Sequence, residues 1–548
     1  MTEENKENIS DSTNISSSKN FNTFRNKRTF KEKLNIIIPV LLFLPLLLFI
    51  SGDGGILLAN EVLIIVDFRL TEFAIIGIIV GMSQIVRAIS VMVFGYLADK
   101  YQRKLTLLLG GLIWASGMLI CGYAPSPYWL LIGRIIASIG AGSDAPLSIS
   151  LLSDIFPAKE RGKSFAWWGL ATTIGGLGTG VLALSFNKIN YDFTNETISL
   201  QERIQYITEH YANNPDPSIS QLVSYWRYPF YLMAILGVIS SLLILLVKEP
   251  KRGIAEDKLH DILINSDIDY SKTYTIKLKD LKYIYKRKSN FWLIINFVDT
   301  IFSGLLLGFI FVWLLELGIR LDNLGTQLPL LIPFMLIIVG FMLWGQFYFA
   351  HRGDKLVKNG DYAGRVKIAI FCGVAHIPFL IIAVFFYPDL GTYTFFKGSL
   401  DLSSNIHLFA VLFILMAIVL GLGLGIEFGV GPAWFASMID VNLPENRGSM
   451  IAAASFMDAI GRGLGAWWGA LIIDWFKGPL GSIKPVSDTI AFTTLTFGVI
   501  SALLWLPILK YAKKDFKEVH DIIEQRAKNL EKLKKELELK KKLENEKN

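Results

Sequence analysis

Roughly twelve apolar stretches, each long enough to cross a lipid bilayer, dominate this chain and constrain its fold more than any other feature. A hydrocarbon core of about 30 Å takes about 20 apolar residues of helix per crossing. The stretches begin near Leu34, Phe73, Lys104, Pro127, Gly162, Tyr228, Asn290, Thr326, Arg365, His407, Gly448 and Asp488. With 52% hydrophobic residues in 548, the solvent of this fold is mostly lipid. An all-α membrane protein follows, and its lipid bilayer is the first partner.

Charge then sets the topology. Arg25, Lys27, Arg28, Lys31 and Lys33 stand directly before the first stretch, and the positive-inside rule puts that end in the cytoplasm. Loops after even-numbered stretches carry Lys100, Arg103 and Lys104, then Lys159, Arg161 and Lys163, then Arg352, Lys355, Lys358, Arg365 and Lys367. An even count of spans returns the C-terminus to the cytoplasm. The formal charge of +7 therefore lies in tails and alternate loops, which argues against nucleic-acid binding. Residues 1–33 read as a disordered cytoplasmic tail without the apolar core and cleavage site of a secretory signal. Residues 34–247 form a first six-helix bundle, 248–289 a cytoplasmic linker, 290–511 a second six-helix bundle, and 512–548 a charged cytoplasmic helix. The polar segment 187–227 is placed outside.

Several local patterns have two readings. The linker's KLKDLKYIYKRK fits a surface-lying amphipathic helix or a solvated tether. Asn195-Glu196-Thr197 is a glycosylation sequon by pattern alone. Ile523, Leu530 and Leu537 recur at heptad spacing, for pairing with a second copy or, the favoured reading, for one solvated helix. Cys121 and Cys372 lie in apolar stretches of different halves and give neither a disulfide framework nor a metal site. GGLGTG at 175–180 lacks the GxGxxG spacing and reads as helix packing. There is no GxxxxGK[ST], HExxH or GxSxG, so ATP-driven pumping and common hydrolase chemistry have no support, and no cofactor is expected.

The chain is internally duplicated. Asp154 precedes Arg161-Gly162 in DIFPAKERG as Asp440 precedes Arg447-Gly448 in DVNLPENRG, and the same offset carries Pro146 onto Pro432. It also aligns the glycine-rich runs GAGSDAP and IEFGVGP, whose glycines and prolines would loosen the fourth and tenth helices, as transporter helices tolerate. Between the second and third stretches lies GYLADKYQRK, where Gly95 allows close helix contact, Asp99 accepts from a neighbouring helix end, and Arg103 and Lys104 hold the loop at the interface. This loop, in this place, resembles the signature of the major facilitator superfamily. The resemblance covers nearly the whole chain and implies twelve transmembrane helices in two pseudo-symmetric bundles, alternating access, and a gating role for these loops. In the second half Ala350 takes the glycine place, Asp354 and Lys355 match Asp99 and Lys100, and the basic pair is displaced to Arg365 and Lys367. A looser second latch is the expectation.

Within that superfamily, RIIASIGAGSDAPLSISLLSDIF and Asp53 in GDGGILL resemble the Spinster-like branch, which moves lysolipids, sphingoid lipids and related amphiphiles. The branch's glutamate place is Ala141 here, with Asp144 one turn on.

Ionisable side chains inside spans are costly, about 2.5–3.5 kcal/mol each on insertion scales, and so face a cavity or a partner. Asp53, Arg87, Arg134, Asp144, Asp299, Glu427, Asp458 and Arg462 are such residues, and they are the substrate or coupling candidates. Depth along the helices pairs Asp53 with Arg134, and spacing pairs Asp458 with Arg462. Asp299 lies at a depth where it would share Arg462. Carboxylates whose surroundings alternate between dry and charged can move protons. Trp167, Trp168, Trp434, Trp467 and Trp468 fit packing, an interfacial belt or an apolar solute path.

The expectation is thus a secondary transporter of a small organic or lipid-like solute, proton-coupled, monomeric, in the plasma membrane. Uncoupled facilitation of a polar metabolite is the rival within transport. A non-transporting receptor or scaffold that signals through its tails is the rival outside it.

Overall fold

The computed structural model describes residues 30–70, 74–189, 200–264, 274, 286–316, 324–385, 392–395, 398–401, 406–482 and 484–545. Ten helices among them are long and apolar enough to cross a membrane. The other two expected spans, the fifth and eleventh, are the long helices Arg161–Ser185 and Arg447–Lys477. They are the two that follow the duplicated Arg-Gly pairs.

In order, the spans are Phe30–Ala59, Ala74–Lys100, Arg103–Gly122, a fourth in two pieces (Pro127–Ala141 and Asp144–Ile155), Arg161–Ser185, and Arg227–Leu243. The second set is Lys288–Ile295 with Val298–Glu316, Leu324–Lys358, Gly364–Phe385, a tenth in two pieces (Ile406–Phe428 and Val430–Asp440), Arg447–Lys477, and Pro485–Asn545. The fourth and tenth breaks fall just before Pro146 and Pro432, whose missing N–H groups suit the first turn of a new helix.

Pseudo-symmetry is visible in the packing. In the first half, span 1 packs on 5, 3 on 4, 3 on 6 and 2 on 4; in the second, 7 on 11, 9 on 10, 9 on 12 and 8 on 10. The halves meet where span 2 lies against 11 and span 5 against 8. With no hydrophobic drive between helices in lipid, such contacts rely on close van der Waals approach.

Three features depart from the sequence reading. A two-stranded antiparallel hairpin, Thr392–Phe395 with Gly398–Asp401, stands in the loop before span 10 and is the one sheet among the described residues. The helix of span 12 continues without a break into the charged segment after residue 511, so that span and tail form one 61-residue helix, Pro485–Asn545. Ile523 and Leu530, 3% and 1% exposed, are neither a free heptad stripe nor solvated: they pack on Leu259 and Leu263 of the linker helix Asp257–Ile264. The N-terminal tail before Phe30, the sequon and most of KLKDLKYIYKRK lie outside the described residues.

Candidate functional site

At one end of the molecule the charged loops of both halves interlock. Span 2 ends at Lys100, and its last turn places Asp99, 4% exposed, against the first turn of span 11. There Asp99 accepts from the Gly448 N–H at 2.8 Å and the Ser449 N–H at 2.6 Å. Free amides and the positive end of a helix dipole make this a natural seat for a carboxylate. The second half repeats the arrangement: Asp354 accepts from the Gly162 N–H at 2.9 Å and the Lys163 N–H at 3.0 Å at the start of span 5. Glycine is needed at both seats, because a Cβ on Gly448 or Gly162 would come within 2.7 Å of the carboxylate oxygen. Gly95 serves the same approach one turn earlier, where a Cβ would meet that of Ala452 at 2.2 Å.

Arginines tie these seats together. Arg103 reaches Asp154 at 2.6 Å within the first half, and Arg365 reaches Asp354 at 2.7 Å and also Asp440 within the second. Across the halves, Arg161 binds Asp440 at 2.9 Å and Arg447 lies 3.5 Å from Asp154. The expected looser second latch is therefore corrected. Arg365 lies farther along the chain than its counterpart Arg103, but helix Gly364–Phe385 brings it back onto Asp354. Lys104 anchors the loop by donating to the Leu245 carbonyl at 2.6 Å.

The start of the linker threads through this cluster, and sequence reasoning missed it. Glu249 accepts from Arg103 at 3.2 Å, Gly253 N–H donates to Asp154 at 3.2 Å, and Arg252 donates to the Tyr101 carbonyl at 2.9 Å. Glu256 accepts from both Arg161 and Arg447, the duplicated arginines, and so bridges the two halves. Burial alone would push the Glu256 carboxyl up, but the two guanidiniums outweigh it and hold it at about 2, against an ordinary 4.5. No local signal marks it: the segment from Glu249 to Glu256 precedes the helix that starts at Asp257, so the spacing of its charges defines no helix face.

Just inside this latch, aromatic rings from the two halves meet. Phe165 of span 5 and Phe435 of span 10 stand 6.2 Å apart between centroids, and Trp168 packs edge-on to Phe435 at 5.0 Å. Trp434 donates its indole N–H to the Leu293 carbonyl at 2.8 Å, a packing role. Trp467, by contrast, is 62% exposed.

Within the spans, Arg134 lies 3.4 Å from Asp53, both buried, and the Trp114 indole N–H donates to Asp53 at 3.2 Å. Arg87 of span 2 lies 3.8 Å from Asp144 at the start of the second piece of span 4. In the other half Arg462 pairs with Asp458 one turn away on its own helix. Among the described residues no ion pair joins Asp299 to Arg462; the titratable groups around it are His376 of span 9 and the carboxylates Asp458 and Glu427 of spans 11 and 10. The reason is geometric: span 7 breaks between Ile295 and Val298, so Asp299 falls in the first turn of its second piece, facing spans 9 and 12. Glu427, 9% exposed, lies next to Arg462 and Asp299 in the electrostatic sense, at the end of the first piece of span 10. His376, with its Nδ1 2.9 Å from the Cys372 carbonyl, was not anticipated, being one histidine inside an apolar run.

Comparison with known proteins adds the family context. The model of the Major Facilitator Superfamily matches residues 41–466. Protein spinster of Drosophila melanogaster is 28% identical over 180 residues, 32% of this chain and 24% of that protein. The niacin transporter NiaP of Acinetobacter baylyi is 32% identical over 129 residues, 23% of this chain and 29% of that protein. The chain thus spans about a quarter of the length of these curated relatives. Among solved structures, the transporter FucP in its outward conformation superposes with a TM-score of 0.56 at 15% identity, covering 88% of this chain and 99% of that one. A bacterial homologue of the human lysosomal transporter Spinster, inward-facing and unoccupied, gives 0.53 at 15% identity over 89% and 99%. At such identity the likeness shows a shared fold.

Proposed function

The chain belongs to the major facilitator superfamily, and from that premise we propose that it is a secondary transporter moving a small organic or amphiphilic solute by alternating access, coupled to protons. The observation that carries this reading is the latch. Asp99 and Asp354 each cap a helix of the opposite half, and Arg161 and Arg447 cross the same boundary. Buried ions are expensive, and a network of them is a poor way to glue a permanent interface. It is an apt way to hold one of two states, because every bond in it can be exchanged for water when the halves rock apart. A receptor or scaffold that never opens has no use for it.

The latch carries the basic loops, so we place it, with both termini, in the cytoplasm of a plasma-membrane protein. The structure would then have its cytoplasmic end closed. Proton coupling finds support in the buried carboxylates Asp53, Asp144 and Glu427, and the fold is shared with structures of a fucose:proton and a proton:xylose symporter. A proton moving down 100 mV gains about 2.3 kcal/mol, enough for roughly fiftyfold accumulation at one-to-one coupling. We favour an amphiphile as solute on the strength of the spinster match and the aromatic rings at the latch.

Proteoliposomes loaded with cell metabolites and lipids, assayed by mass spectrometry of what is released with and without a pH gradient, test both points. A lipid-like solute whose release needs the gradient is expected, with the dependence abolished in Asp53→Asn, Asp299→Asn or Glu427→Gln. Release of a polar metabolite with an unchanged pH profile in all three variants would establish uncoupled facilitation instead.

A further inference from the structure

The charged end of the span 12 helix, beyond residue 511, is a large element that the proposed transport cycle has not used. Its helix carries Val519, Ile523, Ala527 and Leu530, none more than 8% exposed, at intervals of four and three residues, which is a single apolar stripe. The stripe is covered by Leu259 and Leu263, both fully buried, from the linker helix Asp257–Ile264, and by Leu443 from the loop between spans 10 and 11. Charges flank it: Lys258 pairs with Glu524, and Arg526 donates to Glu445 at 2.7 Å.

The residue immediately before this linker helix is Glu256, the bridge between Arg161 and Arg447. The strap that leads to it, Glu249 to Gly253, is held by Arg103 and Asp154 of the first half. The stripe belongs to span 12 of the second half. The linker is thus fastened at one end to each half, with Glu256 between the two fastenings. When the halves separate at the latch end, the strap must tear from Arg103 and Asp154 or the helix must leave the stripe.

We propose that the C-terminal extension is a clasp: by gripping the linker helix it keeps Glu256 seated between the gate arginines and biases the protein toward its latched state. The clasp acts on the conformational equilibrium that the transport reading invokes, but its test does not require a solute. Nitroxide labels are placed at Gln102→Cys and Asn359→Cys, exposed residues of the two loops on opposite halves, while the native Cys121 and Cys372 are buried. Pulsed electron–electron resonance on the full chain in lipid nanodiscs then reads the latch-end distance.

Ile523→Ser removes a buried side chain from the stripe and is expected to raise the ratio of long to short distances about tenfold. The exposed pair gives a second handle that leaves the core intact. Lys258→Glu should shift the ratio in the same direction by about twofold, and adding Glu524→Lys should return it to the parent value. A distance distribution unmoved by Ile523→Ser, or a Lys258→Glu shift that Glu524→Lys does not reverse, would overturn the clasp. These distances report the latch whether or not any solute crosses, so a failed clasp leaves the transport reading standing, and the reverse holds too.

Discussion

Replacing Glu256 by glutamine should unlatch the protein, and the size of the effect follows from the contacts. Its carboxylate accepts from Arg161 and Arg447 while only 12% exposed. Hydrogen bonds to a charged group contribute about 1.5–3 kcal/mol each, and removing one partner of a buried ion pair costs about 3–5 kcal/mol. Glutamine keeps one acceptor oxygen, and each arginine retains a carboxylate, Asp440 or Asp154. The lower end, about 3 kcal/mol, is therefore the estimate, a shift of roughly a hundredfold in the ratio of open to latched molecules. Hydrogen exchange followed by mass spectrometry reads this directly, because the Gly448, Ser449, Gly162 and Lys163 amides are bonded to Asp99 and Asp354 only while the latch is closed. Exchange in the peptides at the starts of spans 5 and 11 should accelerate by about that factor. The pH dependence carries a sign of its own. With its carboxyl held near 2 in the latched state against an ordinary 4.5, Glu256 contributes fully above about pH 4.5, and the contribution fades as the pH falls toward 2. Between pH 5 and 8 the bridge is therefore constant, and the variant should differ from the parent by the same factor throughout. Protection unchanged within about threefold would refute the assignment of Glu256 as the bridge.

Two further outcomes test the symmetry and the buried pair. Asp99→Asn and Asp354→Asn should weaken protection of their partner amides by a similar amount, about 1–2 kcal/mol each, since both seats have two N–H donors at 2.6–3.0 Å; a much smaller cost at Asp354 would restore the looser second latch. Asp53→Asn leaves Arg134, 3% exposed, without its counter-charge and should lower thermal stability by about 3–5 kcal/mol, with much of the loss recovered when Arg134 is also made neutral; a thermal melt in nanodiscs indifferent to Asp53→Asn would remove the pair from the structural account.

Which of these features the sequence disclosed depends on how far apart their partners lie along the chain. Helices were legible because hydropathy is local, and the duplicated Asp and Arg-Gly loops because a repeat is its own evidence. The Asp53 and Arg134 pairing could be reached by counting depth along two straight helices. The same counting failed for Asp299 and Arg462, since it assumes unbroken helices and span 7 breaks just before Asp299. Arg365 looked displaced because loops were compared by position, whereas the side chain's place is set by the helix that carries it. The linker misled for a different reason. A short charged run has the composition of a tether, and nothing local distinguishes a solvated Glu256 from one seated between two arginines that stand 95 and 191 residues away.

The distribution of charge gives the architecture its logic. Among the described residues, the intramembrane ion pairs outside the latch lie within one half: Asp53 with Arg134, Arg87 with Asp144, and the more exposed Asp458 with Arg462. Such pairs survive rigid-body rocking. At the latch the duplicated residues instead pair across the halves, Arg161 with Asp440 and Arg447 with Asp154, and Glu256 serves both arginines. Those bonds cannot survive it. Their desolvation costs are met only while the halves touch, so the network contributes to one state and vanishes in the other. The duplicated Asp and Arg-Gly loops are thus what makes the closed end a state rather than a seam, and any ligand or tail contact that favours separation must outweigh them together.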